Sequence, residues 1–402
     1  MADIDDRWYR TDRATGERVK TARHGAGKRW VARWRDTADM QRSRSFEKKA
    51  DAERFLDQVR ADLARGTYVD PNAGKITVRA YATRWLAAQT ADPSTREAME
   101  LRFRLHVFPT LGDHPLGTLR PSTVQAWVHG LALAPNYART VFANLSAVLS
   151  AAVDDGLIGR NPCGVRSVRP PSAVNARVEP WPAAWVAGVT GALPDRYAAT
   201  VAPGAGCGLR QGEVFGLAVD DVDFLRGVVH VRRQVKIVGA KLVFGPPKRG
   251  KTRNVPLSDE VKVRLAEHLR QFPARVVTLP WLPTGKPVAT RLVFASRESG
   301  AINRNYFNAR VWKKALRAAG VPDSRENGFH SLRHYYASVL LADGVDIRAL
   351  ASYLGHADPG FTLRVYTHLM PEVGDRARRA VDRAFGRLSA NGGAPDVRHD
   401  AR

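Results

Sequence analysis

A proline-rich, basic stretch near the middle of the chain most constrains how this polypeptide can fold. Residues 161–182 contain five prolines with arginines between them. Proline fixes φ and lacks a backbone N–H, so this stretch suits a stiff linker better than a helix or a central strand. Because 402 residues are also too many for one ordinary domain, we expect separately folded units on either side of it.

The first 66 residues have the pattern of a small three-stranded sheet packed on one helix. Residues 30–34 alternate with the period of a half-buried strand, and residues 41–46 can pair back onto them. Apolar residues then recur at helical spacing up to a glycine stop. Arg42 and Arg44 fall on one face of the second strand, which predicts an exposed, arginine-rich surface.

The rest of the chain indicates an α+β multidomain protein. Residues 75–160 have helical periodicity, and four helices are predicted there, near 78–88, 94–107, 121–131 and 137–155. Residues 183–388 mix helices with short strands, which predicts a mainly α domain with a small antiparallel sheet. Residues 389–402 have the composition of a disordered tail.

Net charge is the strongest global signal. The 63 Lys and Arg residues exceed the 39 Asp and Glu residues, giving a formal charge of +24, and the basic residues run through the whole length. The positive electrostatic field of such a chain favours binding to a polyanion, and nucleic acid is the first candidate. We therefore predict that Arg42 and Arg44, and Arg166 and Arg169 in the linker, contact double-stranded DNA.

Cysteine usage and hydropathy indicate an intracellular protein. Two cysteines, Cys163 and Cys207, are too few for a disulfide framework and fit a reducing cytoplasm. The sequence has no apolar run of 18 residues, and its first residues are polar and acidic. We expect a cytoplasmic protein with no membrane partner.

Two basic turns between residues 206 and 257 carry candidate site residues. Arg210 lies in a glycine-flanked turn that enters a helix, and Glu213 follows one turn later, close enough to orient it. A fixed guanidinium stabilises developing charge better than a mobile one. Lys248, Lys251 and Arg253 lie between two strand-like segments, where a lysine could reach into a DNA groove. We predict that Lys251 and Arg253 contact DNA.

A cluster nearer the C-terminus contains the groups that hold and attack a phosphodiester. His330 and Arg333 form one motif, and His356 follows Leu-Gly, ten residues before Tyr366. Arginine offers a planar fork of donors to phosphate oxygens, histidine moves protons near neutral pH, and tyrosine can act as a nucleophile.

Neighbouring tyrosines and histidines have an ordinary packing interpretation. Tyr335 and Tyr336 lie in the apolar helix after Arg333, and Tyr353 fits a helix face. His334 and His368 are interpreted as structural residues.

Together these motifs resemble the tyrosine recombinases, also called phage-type integrases. That family has an Arg in a G-L-R-x-x-E turn, a Lys on a β-hairpin, H-x-x-R, L-G-H and a Tyr about ten residues later. All of them occur in this order between residues 180 and 385. The resemblance implies a catalytic domain at 183–388, a core-site DNA-binding domain at 75–160 and an arm-type DNA-binding domain at 1–66.

The resemblance also implies a role for each matching residue. Tyr366 would attack the scissile phosphate and form a 3′-phosphotyrosyl link. Arg210 and Arg333 would clamp the non-bridging oxygens, with Glu213 as a support. Lys248 would be the general acid that protonates the leaving 5′ oxygen.

The two histidines complete the implied chemistry. His330 would assist proton transfer, as a base toward Tyr366, and His356 would donate a hydrogen bond to the phosphate. Because the phosphotyrosine keeps the energy of the broken bond, the reaction needs no ATP, metal or other cofactor.

The implied function is site-specific DNA recombination for a mobile genetic element. The family acts as a homotetramer on DNA, with accessory DNA-bending or excision factors as further partners, and the helix predicted at 371–388 could pack in cis or on a neighbour. The alternatives are a chromosome- or plasmid-resolving recombinase and a non-catalytic DNA-binding relative. A type IB topoisomerase shares the tyrosine chemistry, but the size and domain order fit it less well. The extra N-terminal unit favours the integrase of a mobile element.

Overall fold

The chain is described by a computed structural model that divides it into two compact units. The described residues are 3–12, 15–36, 39–66, 68–70, 73–172, 178–282, 284–356 and 358–369, together with 378, 381 and 382. The units are Met1–Asn175 and Ala176–Arg402, so the division falls inside the stretch 161–182. Within the described part of the chain, no helix has the length and apolar character needed to cross a membrane. The predicted tail at 389–402 and most of the predicted helix at 371–388 lie outside the described residues.

The N-terminal part of the first unit is a three-stranded antiparallel sheet covered by one helix. Its elements are β1 (Asp3–Asp6), β2 (Tyr9–Thr11), β3 (Arg18–Lys20), β4 (Trp30–Arg35), β5 (Gln41–Phe46) and α1 (Lys49–Ala64). The sheet has the order β1-β4-β5, and β2 pairs with β3 as a separate ribbon. Ala32 and Trp34 of β4 pack against Leu56 and Val59 of α1. The predicted sheet-plus-helix fold is confirmed.

The register of this sheet defines the face that carries Arg42 and Arg44, whose side chains keep exposed surface. Directly opposed residues of an antiparallel pair share a face. Arg42 lies opposite Trp34 and Arg44 lies opposite Ala32, so both arginines stand on the face that α1 covers. Arg42 is ion-paired with Asp36 at 2.8 Å, and Arg44 stacks over aromatic rings at the exposed edge. Period-two alternation groups residues by face, but it does not reveal which face is covered.

The remainder of the first unit is a helical bundle. Its helices are α2 (Val78–Ala87), α3 (Pro93–Arg102), α4 (Phe108–Leu111), α5 (Pro121–His129) and α6 (Pro135–Asp154), and a π-helical segment (Phe103–Val107) joins α3 to α4. The four predicted helices are present. Cys163 and Val168 pack into the core of this bundle, so the first part of the predicted linker belongs to it. The side chains of Arg166 and Arg169 are exposed.

The second unit surrounds its largest apolar core with helices and three small antiparallel sheets. Its helices are α7 (Ala183–Ala192), α8 (Asp195–Ala198), α9 (Val201–Cys207), α10 (Gln211–Phe215), α11 (Asp259–Gln271), α12 (Arg304–Tyr306), α13 (Lys313–Ala318), α14 (His330–Ala342), α15 (Ile347–Leu354) and α16 (Pro359–Tyr366). Its strands are β6 (Val222–Asp223), β7 (Val228–Val231), β8 (Gln234–Val238), β9 (Lys241–Gly245), β10 (Arg253–Pro256), β11 (Arg275–Pro280) and β12 (Pro287–Leu292). The sheets have the orders β10-β7-β6, β8-β9 and β11-β12. The predicted α+β class is confirmed.

The connection that carries Lys248 is not the turn of a β-hairpin. Strand β9 pairs with β8, whereas β10 pairs with β7, so the strands that flank the connection belong to different sheets. Lys248 begins a single 3₁₀ turn there, and the side chains of Lys248 and Lys251 are exposed. The strand-like pattern on both sides predicted two strands, but it holds no information about their partners.

Two glycines of the α9 region let α14 approach closely. A Cβ on Gly204 would lie 2.9 Å from the side chain of Leu332, and a Cβ on Gly208 would lie 2.4 Å from the ring of Tyr336. Gly208 also has a φ of +62°, in the left-handed region, and it ends α9. These glycines therefore bring the turn before α10 against the first turns of α14.

Candidate active site

Arg210 is held at the start of α10 by a carboxylate one turn away. Its backbone N–H donates to Glu213 Oε2 at 2.9 Å, and its Nη1 donates to Glu213 Oε1 at 2.9 Å. The guanidinium keeps partial contact with solvent, because 21% of the side chain is exposed. The structure therefore shows the contact that the spacing of these two residues predicts.

Glu213 is shared with a second arginine, Arg253. Nη1 and Nη2 of Arg253 donate to the two carboxylate oxygens at 3.0 and 2.6 Å, and its Nε donates to the carbonyl of Tyr353 at 2.6 Å. Burial alone would raise the pKa of Glu213, but the hydrogen bonds and charge of Arg253, with the charge of Arg210, lower it to about 2. The carboxylate therefore stays ionised.

The position of Arg253 differs from the prediction of a DNA contact. Only 5% of its side chain is exposed, and its guanidinium faces Glu213 and the end of α15. A guanidinium in these bonds is not presented to a DNA backbone. Its partner carboxylate lies 40 residues away in sequence, which the local pattern could not indicate.

Arg333 is a buried cation held by the ends of two helices. It is 1% exposed, its Nη1 donates to the carbonyl of Gly208 at 2.6 Å, and its Nη2 donates to the carbonyl of Leu354. Carbonyls at helix C-termini lack intrahelical partners and carry partial negative charge, so they suit a guanidinium. Burial, with the charge of Arg210, lowers the pKa of Arg333, but the group remains a cation at neutral pH.

The hydrogen bonds of His356 define its tautomer. Nη2 of Arg333 lies 3.1 Å from His356 Nε2, and a guanidinium can only donate, so Nε2 accepts. Nδ1 then carries the proton and donates to Thr362 Oγ1 at 2.7 Å. Burial and the charge of Arg333 lower the pKa of His356 to about 4, which agrees with a neutral ring. With these bonds, Nε2 is an acceptor, whereas the predicted bond to a phosphate needs a donor.

The hydroxyl of Tyr366 is buried and hydrogen-bonded to His334. Tyr366 ends α16 and is 2% exposed, and its Oη lies 2.7 Å from His334 Nδ1. Burial raises the pKa of Tyr366 to about 12, although the charges of Arg333 and Arg210 lower it. This hydrogen bond joins Tyr366 to α14, the helix that also carries Arg333.

His334 is the residue of this group that its sequence context does not reveal. Sequence reasoning interprets it as structural, yet its ring meets both Tyr366 and His330. A signal was present, because His330 and His334 are four residues apart and share one face of α14.

His330 lies at the first position of α14 and faces His334. The ring centroids of the two histidines are 4.7 Å apart with an edge-on geometry. More than a third of His330 is open to solvent. Packing around the ring and the charges of His334, Arg333 and Arg210 lower the pKa of His330. The hydrogen bond of the Tyr366 hydroxyl leads to His334 and not to His330.

The structure thus brings five of the six predicted catalytic residues into one cluster. Arg333 bonds His356 and the carbonyl of Gly208, two residues before Arg210, and Glu213 anchors Arg210. His330 and Tyr366 both meet His334, the residue that follows Arg333. Lys248 projects from an exposed turn, and none of the hydrogen bonds that hold the cluster in the described residues involves it.

Two family models match this chain. The model of the phage integrase family matches residues 190–372, and the model of the N-terminal SAM-like domain of phage integrases matches residues 77–132. Together the matches span more than half of the chain, including both the bundle of the first unit and the arginine cluster.

Known integrases are similar to this chain over most of their length. A putative prophage phiRv2 integrase of Mycobacterium tuberculosis (strain CDC 1551 / Oshkosh) is 28% identical over 335 residues, covering 81% of this chain and 84% of the relative. The Tn1549 transposon integrase in complex with a circular intermediate DNA has a TM-score of 0.64 at 18% identity, covering 77% of this chain and 99% of that chain. A lambda integrase tetramer bound to a Holliday junction has a TM-score of 0.54 at 17% identity, with coverages of 82% and 94%. At these identities the solved structures establish the fold.

The fold and the family matches define a site-specific tyrosine recombinase of the kind that serves mobile elements. The chain belongs to the phage integrase family, as its motifs predict.

Proposed function

We propose that this chain is the integrase of a mobile genetic element and that it cuts and rejoins DNA through a 3′-phosphotyrosyl link to Tyr366. The observation that carries the proposal is the buried Tyr366 hydroxyl, which is hydrogen-bonded to His334, the residue that follows Arg333 in α14. A nucleophile placed next to cations is suited to attack an anionic phosphodiester.

The charge balance of the cluster supports a phosphate as its ligand. Arg210 and Arg253 share the single carboxylate of Glu213, while Arg333 is bound by helix-end carbonyls. The cluster therefore keeps excess positive charge, and the lowered pKa of His356 leaves that ring neutral. In a site with little water, such fixed donors stabilise the charge that develops on the non-bridging oxygens.

Arg210 and Arg333 are assigned as the phosphate clamp, and Lys248 as the general acid. The partly exposed Arg210 side chain can turn one edge of its guanidinium to a phosphate while Glu213 holds the other. Lys248 reaches the leaving 5′ oxygen only if its turn moves toward the cluster when DNA binds. For His356 to donate to the phosphate, its proton must move to Nε2 once Arg333 turns to the ligand. His330 is assigned a supporting place in proton transfer through its contact with His334.

The partner is double-stranded DNA. The charge of +24 and the DNA complexes of the Tn1549 and lambda integrases support this assignment. Exposed Arg166, Arg169 and Lys251 remain candidates for phosphate contacts. We place the N-terminal sheet-plus-helix part on arm-type sites and the helical bundle on core sites. Four copies would assemble on two duplexes in the cytoplasm, with an accessory DNA-bending or excision factor, and no cofactor would be needed.

A suicide substrate tests the proposal. Nicked duplexes that tile the DNA on both sides of the coding gene are incubated with the protein, and covalent adducts are resolved on a denaturing gel. The wild type should form an adduct with the duplex that contains its core site, and Tyr366→Phe should form none while it still shifts the same duplex on a native gel. Tyr335→Phe is the matched control and should form the adduct at the wild-type rate.

Two outcomes would contradict the proposal. An adduct with Tyr366→Phe would show that another residue is the nucleophile. Sequence-specific binding by the wild type without any adduct would indicate a non-catalytic DNA-binding relative.

A further inference from the structure

The hydroxyl of Tyr366 has a defined neighbour that the family motifs do not include. Its Oη lies 2.7 Å from Nδ1 of His334, and the two residues come from different helices, α16 and α14. The helices must therefore pack correctly before this contact can form. A histidine nitrogen at this distance from a nucleophilic hydroxyl is in position to receive its proton.

We propose that His334, and not His330, is the general base that accepts the proton of Tyr366 when its Oη attacks the phosphorus. This inference rests on the proposed function, because it assigns the proton of that same reaction. His330 has no comparable contact among the described residues: it meets the ring of His334 edge-on and lies partly open to solvent.

The surroundings of His334 keep its ring unprotonated. The groups that face it are Arg333 and His330 from its own helix, Tyr366 from α16, and His356 from the turn after α15. Burial and the charge of Arg333 lower the pKa of His334 to about 4, so the ring is neutral at neutral pH. The raised pKa of Tyr366, about 12, means that the phenol must lose its proton during the attack.

The proposed step balances without any further reactant. The bond between Tyr366 Oη and phosphorus forms, and the bond from phosphorus to the 5′ oxygen breaks. The phenolic proton passes to Nδ1 of His334, and the leaving oxygen takes a proton from Lys248. In the reverse reaction, a 5′ hydroxyl attacks and the imidazolium of His334 returns its proton to the departing Tyr366 oxygen.

Two substitutions distinguish proton transfer to His334 from a hydrogen bond that only positions the Tyr366 hydroxyl. His334→Asn places an amide near Nδ1 that can still bind the hydroxyl but cannot take its proton, while His334→Ala removes both functions. Each should slow single-turnover cleavage by roughly 10²–10⁴-fold, the usual contribution of a general base. DNA binding on a native gel should be unchanged. His368→Asn, on a histidine whose hydrogen bond goes to the carbonyl of Val178, is the matched control and should cleave normally.

Two chemical readouts exclude a merely structural effect. Replacing Tyr366 by a fluorinated tyrosine lowers the pKa of the phenol, so it should restore much of the rate of His334→Asn. A duplex with sulfur at the 5′ bridging position has a leaving group that needs no acid. It should therefore rescue Lys248→Ala but not His334→Asn.

The results separate this inference from the proposed function. If the wild type forms an adduct and His334→Asn cleaves at the wild-type rate, His334 is not the base although the recombinase assignment stands. If His330→Asn loses the rate and fluorotyrosine restores it, His330 is the base. A slow His334→Asn variant whose rate fluorotyrosine fails to restore would also overturn the inference, because it would indicate that the substitution displaces the Tyr366 hydroxyl. Failure of the wild type to form any adduct would instead overturn the proposed function.

Discussion

Removing the guanidinium of Arg253 should strongly destabilise the second unit. Arg253→Met keeps the apolar stem of the side chain and leaves Glu213, with no side-chain exposure, paired only with Arg210. The native arrangement lowers the pKa of Glu213 from 4.5 to about 2. At about 1.4 kcal/mol per pKa unit, this shift corresponds to about 3 kcal/mol. Breaking a buried ion pair typically costs about 3–5 kcal/mol, so the two figures agree.

The pH dependence of the effect has a defined sign. The pKa of Glu213 is lower in the folded state, so its contribution to the free energy of unfolding is complete above its unfolded value of 4.5. It is lost as the pH falls through the folded value of about 2. The difference in stability between wild type and Arg253→Met should therefore be constant near neutral pH and shrink between these two values.

Hydrogen exchange during urea titration is the appropriate assay, because a chain of two units need not unfold in one step. Exchange of the α9–α10 and α14 segments, followed by mass spectrometry, reports the free energy of opening around the cluster. The control is Arg264→Met, which removes an exposed ion pair with Glu260 and should cost about 0–0.5 kcal/mol. Adding Glu213→Gln to Arg253→Met should recover stability, because no fully buried carboxylate remains and Arg210 keeps contact with solvent. An Arg253→Met effect as small as that of the control would refute the reasoning.

Two further predictions concern the packing and the hydrogen bonds around the cluster, and each has its own control variant. Gly208→Ala should cost roughly 3 kcal/mol in urea unfolding, because its φ of +62° is strained for alanine and the new Cβ would meet the ring of Tyr336. Gly250→Ala, with a φ of +71° and open space around it, should cost only about 1–2 kcal/mol, and equal effects would contradict the packing argument. Thr362→Val should slow single-turnover cleavage about tenfold without weakening DNA binding, because the Nδ1 proton of His356 loses its acceptor. Thr362→Ser keeps the hydroxyl and should cleave normally, and equal rates for both variants would rule out this role.

Features set by neighbouring residues were predictable from the sequence. The contact between Arg210 and Glu213 follows from helical spacing, and alternation predicted strand β4. The four predicted helices of the bundle follow from apolar periodicity and from the prolines at the starts of two of them.

Features that depend on long-range pairing were not predictable. The Lys248 connection was expected to be a hairpin, because flanking strands do not reveal their partners. Arg253 was assigned to DNA, although its carboxylate partner lies 40 residues earlier. His334 was interpreted as structural, and its partner Tyr366 lies 32 residues away on another helix. In each case the tertiary fold selects the partner, which the local pattern does not specify.

The entering phosphodiester and the raised pKa of Tyr366 together favour a proton acceptor next to the phenol. A phosphodiester anion that enters the site would stabilise the protonated phenol, which adds to the raised pKa of Tyr366. The attack would therefore stall unless a neutral base lies within hydrogen-bond distance. Burial and the charge of Arg333 lower the pKa of His334, and the same charge attracts the phosphate, so Arg333 both keeps the base unprotonated and holds the electrophile. A substitution of Arg333 that weakens the phosphate clamp should therefore also raise the pKa of His334, and the two effects should appear together in the pH profile of cleavage.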